Sequence, residues 1–172
     1  PNLLILGNVQ DAGSPHMGCE KPCCVSLFEA PDPNRKVVSL GLVDPLEKKY
    51  WLIEASPDFI TQCRELKKTS DFEHGKSPDG IFLTHAHIGH YTGLMYLGKE
   101  SYNSSNVPVF AMTRMKGFLI KNGPWSQLVT LNNINIKETN FGKGNKELSS
   151  TIVSPIKVPH RDEYSETAAY II

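Results

Sequence analysis

The stretch Gly80-Ile-Phe-Leu-Thr84-His85-Ala-His87-Ile-Gly-His90-Tyr-Thr-Gly93-Leu decides the reading of this chain. A short apolar segment runs straight into three histidines within six positions. In an extended backbone, residues two apart project to one side, so His85 and His87 point together. His87 and His90, three apart, meet if a helix starts between them. A strand-to-helix turn thus gathers three imidazoles. Neutral imidazole is the commonest metal ligand among side chains and suits Zn, Fe, Ni and Cu, whereas three crowded imidazoles without a cation waste buried polar groups. A lone histidine here would read as a surface or hydrogen-bonded residue; the triplet reads as a metal site.

A further ligand is needed to close even a mononuclear site. His160, in Val158-Pro-His160-Arg-Asp-Glu-Tyr-Ser-Glu-Thr, also follows an apolar strand and is the best candidate. His16 lies in a Gly/Pro loop and His74 in a polar turn, where it reads as solvated. Asp11, after the first strand, and Asp58, after the strand at 50–55, are candidates to accept the spare N–H of a ligating imidazole. The competing roles are turn stabilisation for Asp11 and helix capping for Asp58. Arg161, Asp162 and Glu163 either orient His160 or meet substrate, but a charged solvent loop is the simpler reading. Cys19, Cys23 and Cys24, with His16 three residues before the first, have the spacing of a structural zinc site. Free thiols or a disulfide remain open for them, and Cys63 reads as a core residue on a helix face. Trp51 and Trp125 read as packing residues.

The rest of the chain sets the frame. Its 172 residues and 40% hydrophobic content suit one domain, 1–172, with one sizeable core. Eighteen basic and eighteen acidic side chains cancel, so a nucleic-acid partner recruited by gross charge is disfavoured. Apolar runs such as Leu3 to Leu6 fall far short of the roughly 20 residues of a membrane-spanning helix. Thirteen Gly and twelve Pro punctuate short apolar segments in a loop-rich α/β pattern. Strands are expected at 3–8, 24–29, 37–43, 50–55, 80–84, 107–111, 128–138, 151–158 and 167–172. Helices are expected at 57–68, from about His90 through Leu97, and at 114–121. Gly142-Lys-Gly144 lacks the ending of a phosphate loop, and the sequon Asn103-Ser-Ser105 is common by chance. No basic stretch or cleavage site precedes the first apolar run, so any targeting peptide has been removed or never existed. Ala168 to Ile172 reads as a strand with no turn after it, and an incomplete chain is expected.

A strand followed by His-x-His-x-x-His, with a later strand-borne histidine, resembles the metallo-β-lactamase superfamily, whose usual pattern is His-x-His-x-Asp-His. Leu6-Gly-Asn-Val-Gln-Asp11-Ala-Gly-Ser-Pro15-His-Met-Gly-Cys19, Glu54-Ala-Ser-Pro-Asp58 and the His160 segment extend the likeness across nearly the whole chain. Together they are similar to the branch related to pyrroloquinoline quinone biosynthesis protein B. The resemblance implies an αββα sandwich, with His85, His87 and His160 on a first metal and His90 on a second. It also implies a bridging Asp and a final His beyond Ile172. The departure is Gly89, where the family places a metal-binding Asp; one tightly held ion rather than two is therefore expected.

The chemistry implied is that of a metal-dependent hydrolase, with zinc activating water against an ester, amide or phosphodiester of a small-molecule substrate. Iron or manganese are alternative ions, and an iron-dependent oxidative enzyme of quinone-cofactor biosynthesis is the second reading. A metal-binding relative without catalysis is the third. Oligomeric state is left open, and the compartment reads as cytoplasmic or, if a signal peptide has been removed, periplasmic or secreted.

Overall fold

The computed structural model describes residues 1–70, 72–73, 77–143, 148 and 151–172. His74 and part of the glycine-rich 142–147 segment lie outside the described residues. A six-stranded sheet runs in the order β1 (Asn2–Gly7), β2 (Ser39–Asp44), β3 (Lys49–Ile53), β4 (Gly80–Phe82), β5 (Val107–Ala111), β6 (Ile134–Glu138). The first three strands are antiparallel and β3 to β6 are parallel. Asp44 makes the β2–β3 hairpin possible: its Oδ1 accepts the amide hydrogens of Leu46 and Glu47, and Lys48 takes the left-handed conformation. The parallel strands need crossovers, supplied by α2 (Phe59–Thr69), by α3 (Ile88–Tyr91) with the 3₁₀ turn Thr92–Leu97, and by α4 (Thr113–Lys121) with α5 (Trp125–Thr130).

Alternation along the strands divides the core between two faces. Leu52, Ile81, Leu83, Val107 and Val109 meet Phe59, Leu66, Leu94 and Leu119 on the helical side. Leu42, Trp51, Ile53, Phe82 and Phe110 form the other face, with Leu148 and Val153. A second sheet, β7 (Ser154–Lys157) paired antiparallel with β8 (Ala168–Ile171), lies on that side, where Tyr170 packs edge-on to Phe82 at 5.4 Å. Helices, a mixed sheet and a second sheet stack in the α/β order expected from the sequence. Among the described residues no helix is long and apolar enough to cross a membrane.

Two expected strands are corrected. Residues 24–29 belong to α1 (Pro22–Glu29), because Pro22 supplies the preset φ of a first helical turn ahead of the apolar run. The expected strand 128–138 is two elements: α5 ends at Thr130, left-handed Asn132 turns the chain, and β6 starts at Ile134. Hydrophobicity alone bridges that break; the Asn-Asn pair marks it.

Candidate metal centre

The histidine strand ends where the parallel sheet presents the carboxyl ends of β3 and β4, the usual ligand-binding rim of such sheets. Beyond Phe82 the chain leaves the sheet, bends at Ala86 and His87, and enters α3 at Ile88. His85 Nε2 lies 2.9 Å from His87 Nδ1, and His160 Nε2 lies 3.2 Å from the same atom. Three ligand nitrogens of one tetrahedral zinc, each about 2.05 Å from the ion, stand about 3.3 Å apart. Ligand atoms of all three rings fall within 4.8 Å of one another, so the sequence-derived trio is brought together.

Neighbouring groups set the rings' protons. Glu163 Oε2 is 3.1 Å from His87 Nε2, and since a carboxylate only accepts, that nitrogen carries the hydrogen and Nδ1 offers its lone pair. Thr84 Oγ1, 2.7 Å from His85 Nδ1, can accept in the same way and free Nε2. Burial first, then the rings of His90, His87 and His160, push His85 down to about 3, against the pull of Asp11. A neutral lone pair aimed at two other imidazole nitrogens is the state a metal requires. The donor set fits a divalent ion.

His90 lies next to this trio, its ring centroid 4.2 Å from that of His85. Its Nδ1 sits 3.2 Å from Glu54 Oε2. Burial works to lower its proton affinity, but Glu54 and Asp11 raise it above the ordinary value. Glu54 is the residue that sequence reasoning missed. It is buried, holds an unusual φ of 80°, and accepts the Thr84 amide hydrogen through Oε1 at 3.1 Å. The carboxylate thereby ties the end of β3 to the start of the histidine segment, a place where backbone strain signals function. A lone acid closing the wholly apolar run Trp51-Leu-Ile53 was the available signal.

Asp58, expected near the ligands, is spent elsewhere: its Oδ2 accepts the Val37 amide hydrogen at 2.8 Å, and it makes no side-chain cap on α2. Asp11 packs against Gly89, between His87 and His90 in the chain. Asp162 and Glu163 belong to a loop fastened to α4 rather than to a free solvent loop, with Arg114 donating to the Asp162 carbonyl at 2.7 Å. Buried Glu166 accepts the amide hydrogens of Arg114 and Met115 at 3.0 and 3.2 Å, capping a helix whose own N-cap, Met112, has no capping side chain. Replacing Glu166 by Ala is expected to cost about 1–2 kcal/mol, as loss of a helix cap does. It also loosens the loop that carries His160. Thermal unfolding with and without zinc checks both effects: a melting temperature unchanged in both conditions would refute them.

The cysteine cluster forms as well. Sulfur atoms of Cys19, Cys23 and Cys24 lie within 4.8 Å of one another, and the Cys23–Cys24 pair is 3.9 Å apart. Thiolates around one zinc at about 2.3 Å stand about 3.8 Å apart. His16 is not part of that group: its Nδ1 lies 2.9 Å from the Met17 carbonyl oxygen, and its backbone N–H points to Cys24 Sγ. Cys63 packs with the core of α2 and is pushed up to about 12, chiefly by burial.

A family model described as a beta-lactamase superfamily domain matches residues 49–172, which include all four clustered histidines. The chain belongs to this superfamily. Among solved structures, it is similar to Zn(2+)-bound PqqB from Methylobacterium extorquens, with a TM-score of 0.74 and 19% identity over 98% of this chain and 58% of that one. A diphosphatase from the PhnP family follows at TM-score 0.68 and 21% identity, covering 98% of this chain and 60% of the other. MEM-A1, a subclass B3 metallo-beta-lactamase from a soil metagenome library, matches at TM-score 0.55 and 17% identity over 79% and 51%. These likenesses establish a shared superfamily fold, and the chain spans between 51% and 60% of the length of those structures. No curated protein matches the chain.

Proposed function

We propose that this protein is a metal-dependent hydrolase acting on an ester, amide or phosphodiester, with His85, His87 and His160 as the metal ligands. The observation that carries the reading is the convergence of His85 Nε2 and His160 Nε2 on a His87 Nδ1 whose lone pair Glu163 keeps free of hydrogen. A divalent ion such as zinc bound there supplies Lewis acidity and a water that ionises near neutral pH. The chain's own residues do the rest. Thr84 and Glu163 orient two of the rings, Glu54 holds His90 in register beside them, and Glu166 anchors the loop bearing His160. The site opens on a half-exposed rim, since His160 and Glu163 are exposed while His85 is buried, so a small-molecule substrate reaches the ligands from one side.

Metal content per chain, measured by elemental analysis on untagged protein prepared without added metal, tests the reading together with reconstitution. Zinc restoring hydrolysis supports it. Iron alone supporting turnover, read as oxygen consumption, favours the oxidative alternative that three histidines also permit. A filled triad with neither activity favours a metal-binding protein without catalysis.

We assign a structural metal to Cys19, Cys23 and Cys24 on the strength of their sulfur spacing. Cys23→Ser is expected to lose one zinc equivalent and to lower the melting temperature while the triad keeps its ion. Equal zinc content in variant and parent would remove this assignment.

A further inference from the structure

We propose that Asp11 is the carboxylate ligand of a second divalent cation, held with His90 beside the histidine triad and replacing the side chain that Gly89 lacks. This rests on the triad being the first metal site. The resemblance to the superfamily leaves position 89 without its acid; the structure shows what occupies the space instead. A Cβ built on Gly89 would overlap Asp11 Cβ and fall 2.8 Å from the Asp11 carbonyl oxygen. Glycine at 89 is therefore the condition for Asp11 to lie where it does, and a Gly89→Asp change has no room to restore the missing carboxylate.

Asp11 is placed there by a built turn. The Gly13 amide donates to the Gln10 carbonyl at 3.0 Å, the Gln10 side chain donates to the Gly13 carbonyl at 3.1 Å, and its Oε1 accepts the Ala12 amide hydrogen at 3.0 Å. Gly13 makes this turn at a φ of 86°, open to glycine at no steric cost. The turn is in turn fastened to the sheet, because Val9 N–H donates to the Lys36 carbonyl and Val38 N–H to the Val9 carbonyl. So the loop presents Asp11 as a fixed group.

Three further observations point the carboxylate at a cation. It makes no hydrogen bond among the described residues. The Asp11 Cβ stands where a Cβ on Gly89 would lie, so the carboxylate branches from the place the missing side chain would occupy, between His87 and His90 in the chain. Glu54 Oε2 stands 3.2 Å from His90 Nδ1, so Nε2 is that ring's other ligand atom.

Asp11→Asn keeps the side chain's shape and removes its charge. The test is competitive titration of zinc and cobalt(II) into parent and Asp11→Asn protein, with cobalt–thiolate absorption identifying any equivalent held by the cysteines. The parent is expected to bind one equivalent at the triad and a second, weaker one outside the cysteines. In Asp11→Asn the weaker equivalent should lose at least about tenfold in affinity, since even supporting partners of ligands are worth that much, while the tight one is unchanged. Asp11→Glu, retaining the charge, should recover part of the loss. A second equivalent bound equally well by Asp11→Asn would overturn the assignment, and so would a parent that binds only one at the histidines. No ion at the histidines at all would overturn the hydrolase reading too, which separates the two failures.

Discussion

His87→Ala is expected to empty the triad and abolish metal-dependent turnover. His87 is the hub of the site: its Nδ1 is the atom that both His85 and His160 approach, and it is the ring tied to Glu163. Without it, two imidazoles remain whose ring centroids are 4.8 Å apart, and two neutral nitrogens hold zinc poorly. Losing a direct ligand exceeds the tenfold to hundredfold cost of losing a ligand's supporting partner, so affinity should fall by more than about a hundredfold. The fold should survive, because His87 is half-buried, precedes α3, and makes no side-chain cap on it. Melting in chelator is thus expected to match the parent, while the stabilisation that zinc confers on the parent disappears. Glu163→Gln is the graded comparison: its amide oxygen still accepts from His87 Nε2, and about a tenfold loss of affinity is expected. Equal zinc content in His87→Ala and parent would rule out this ligand set.

How much of this was legible in the sequence depends on the range of the interaction. The histidine segment is local: the short link from the end of β4 to the helix start after His87 brings its rings together with little tertiary information. His160 was legible only through its similar setting after an apolar strand, since nothing in its neighbours records that Glu166 and Arg114 hold its loop on α4. Glu54 and Asp58 sit in one five-residue motif, yet of the two only Glu54 contacts the histidine segment. Which of them does so depends on the 80° φ at Glu54 and on Val37 claiming Asp58, both products of tertiary packing. The misread strand at 24–29 failed for a related reason: Val25, Leu27 and Phe28 are apolar, but Phe28 and Val25 stay exposed, so burial never favoured a sheet. Gly89 stands out in the sequence as a departure, but the packing of Asp11 against it is visible only in the fold.

Gly93→Ala should be strongly destabilising. Its Cβ would meet the Ser56 carbonyl oxygen inside contact distance, Phe59 Cβ at 2.7 Å and the Ala55 carbonyl carbon at 2.9 Å. These are backbone atoms and the root of a buried aromatic side chain, none of which can swing aside. Overpacking of this kind costs about 3 kcal/mol or more when the neighbours are rigid. For a chain of this size that lowers the melting temperature by about 6–12 °C. The damage also reaches the metal centre. Gly93 N–H donates to the Ala55 carbonyl at 2.8 Å, and Ala55 N–H donates to the His90 carbonyl at 3.0 Å, so the two segments clasp each other. Pushing the 3₁₀ turn off the end of β3 pulls His90 away from Glu54. Gly117→Ala, inside α4 with nothing within 4 Å of its added Cβ, is the matched control and should gain about 0.5–1 kcal/mol from helix propensity. If both variants melt within about 2 °C of the parent, the close packing of the histidine turn against β3 is not what holds the site in place.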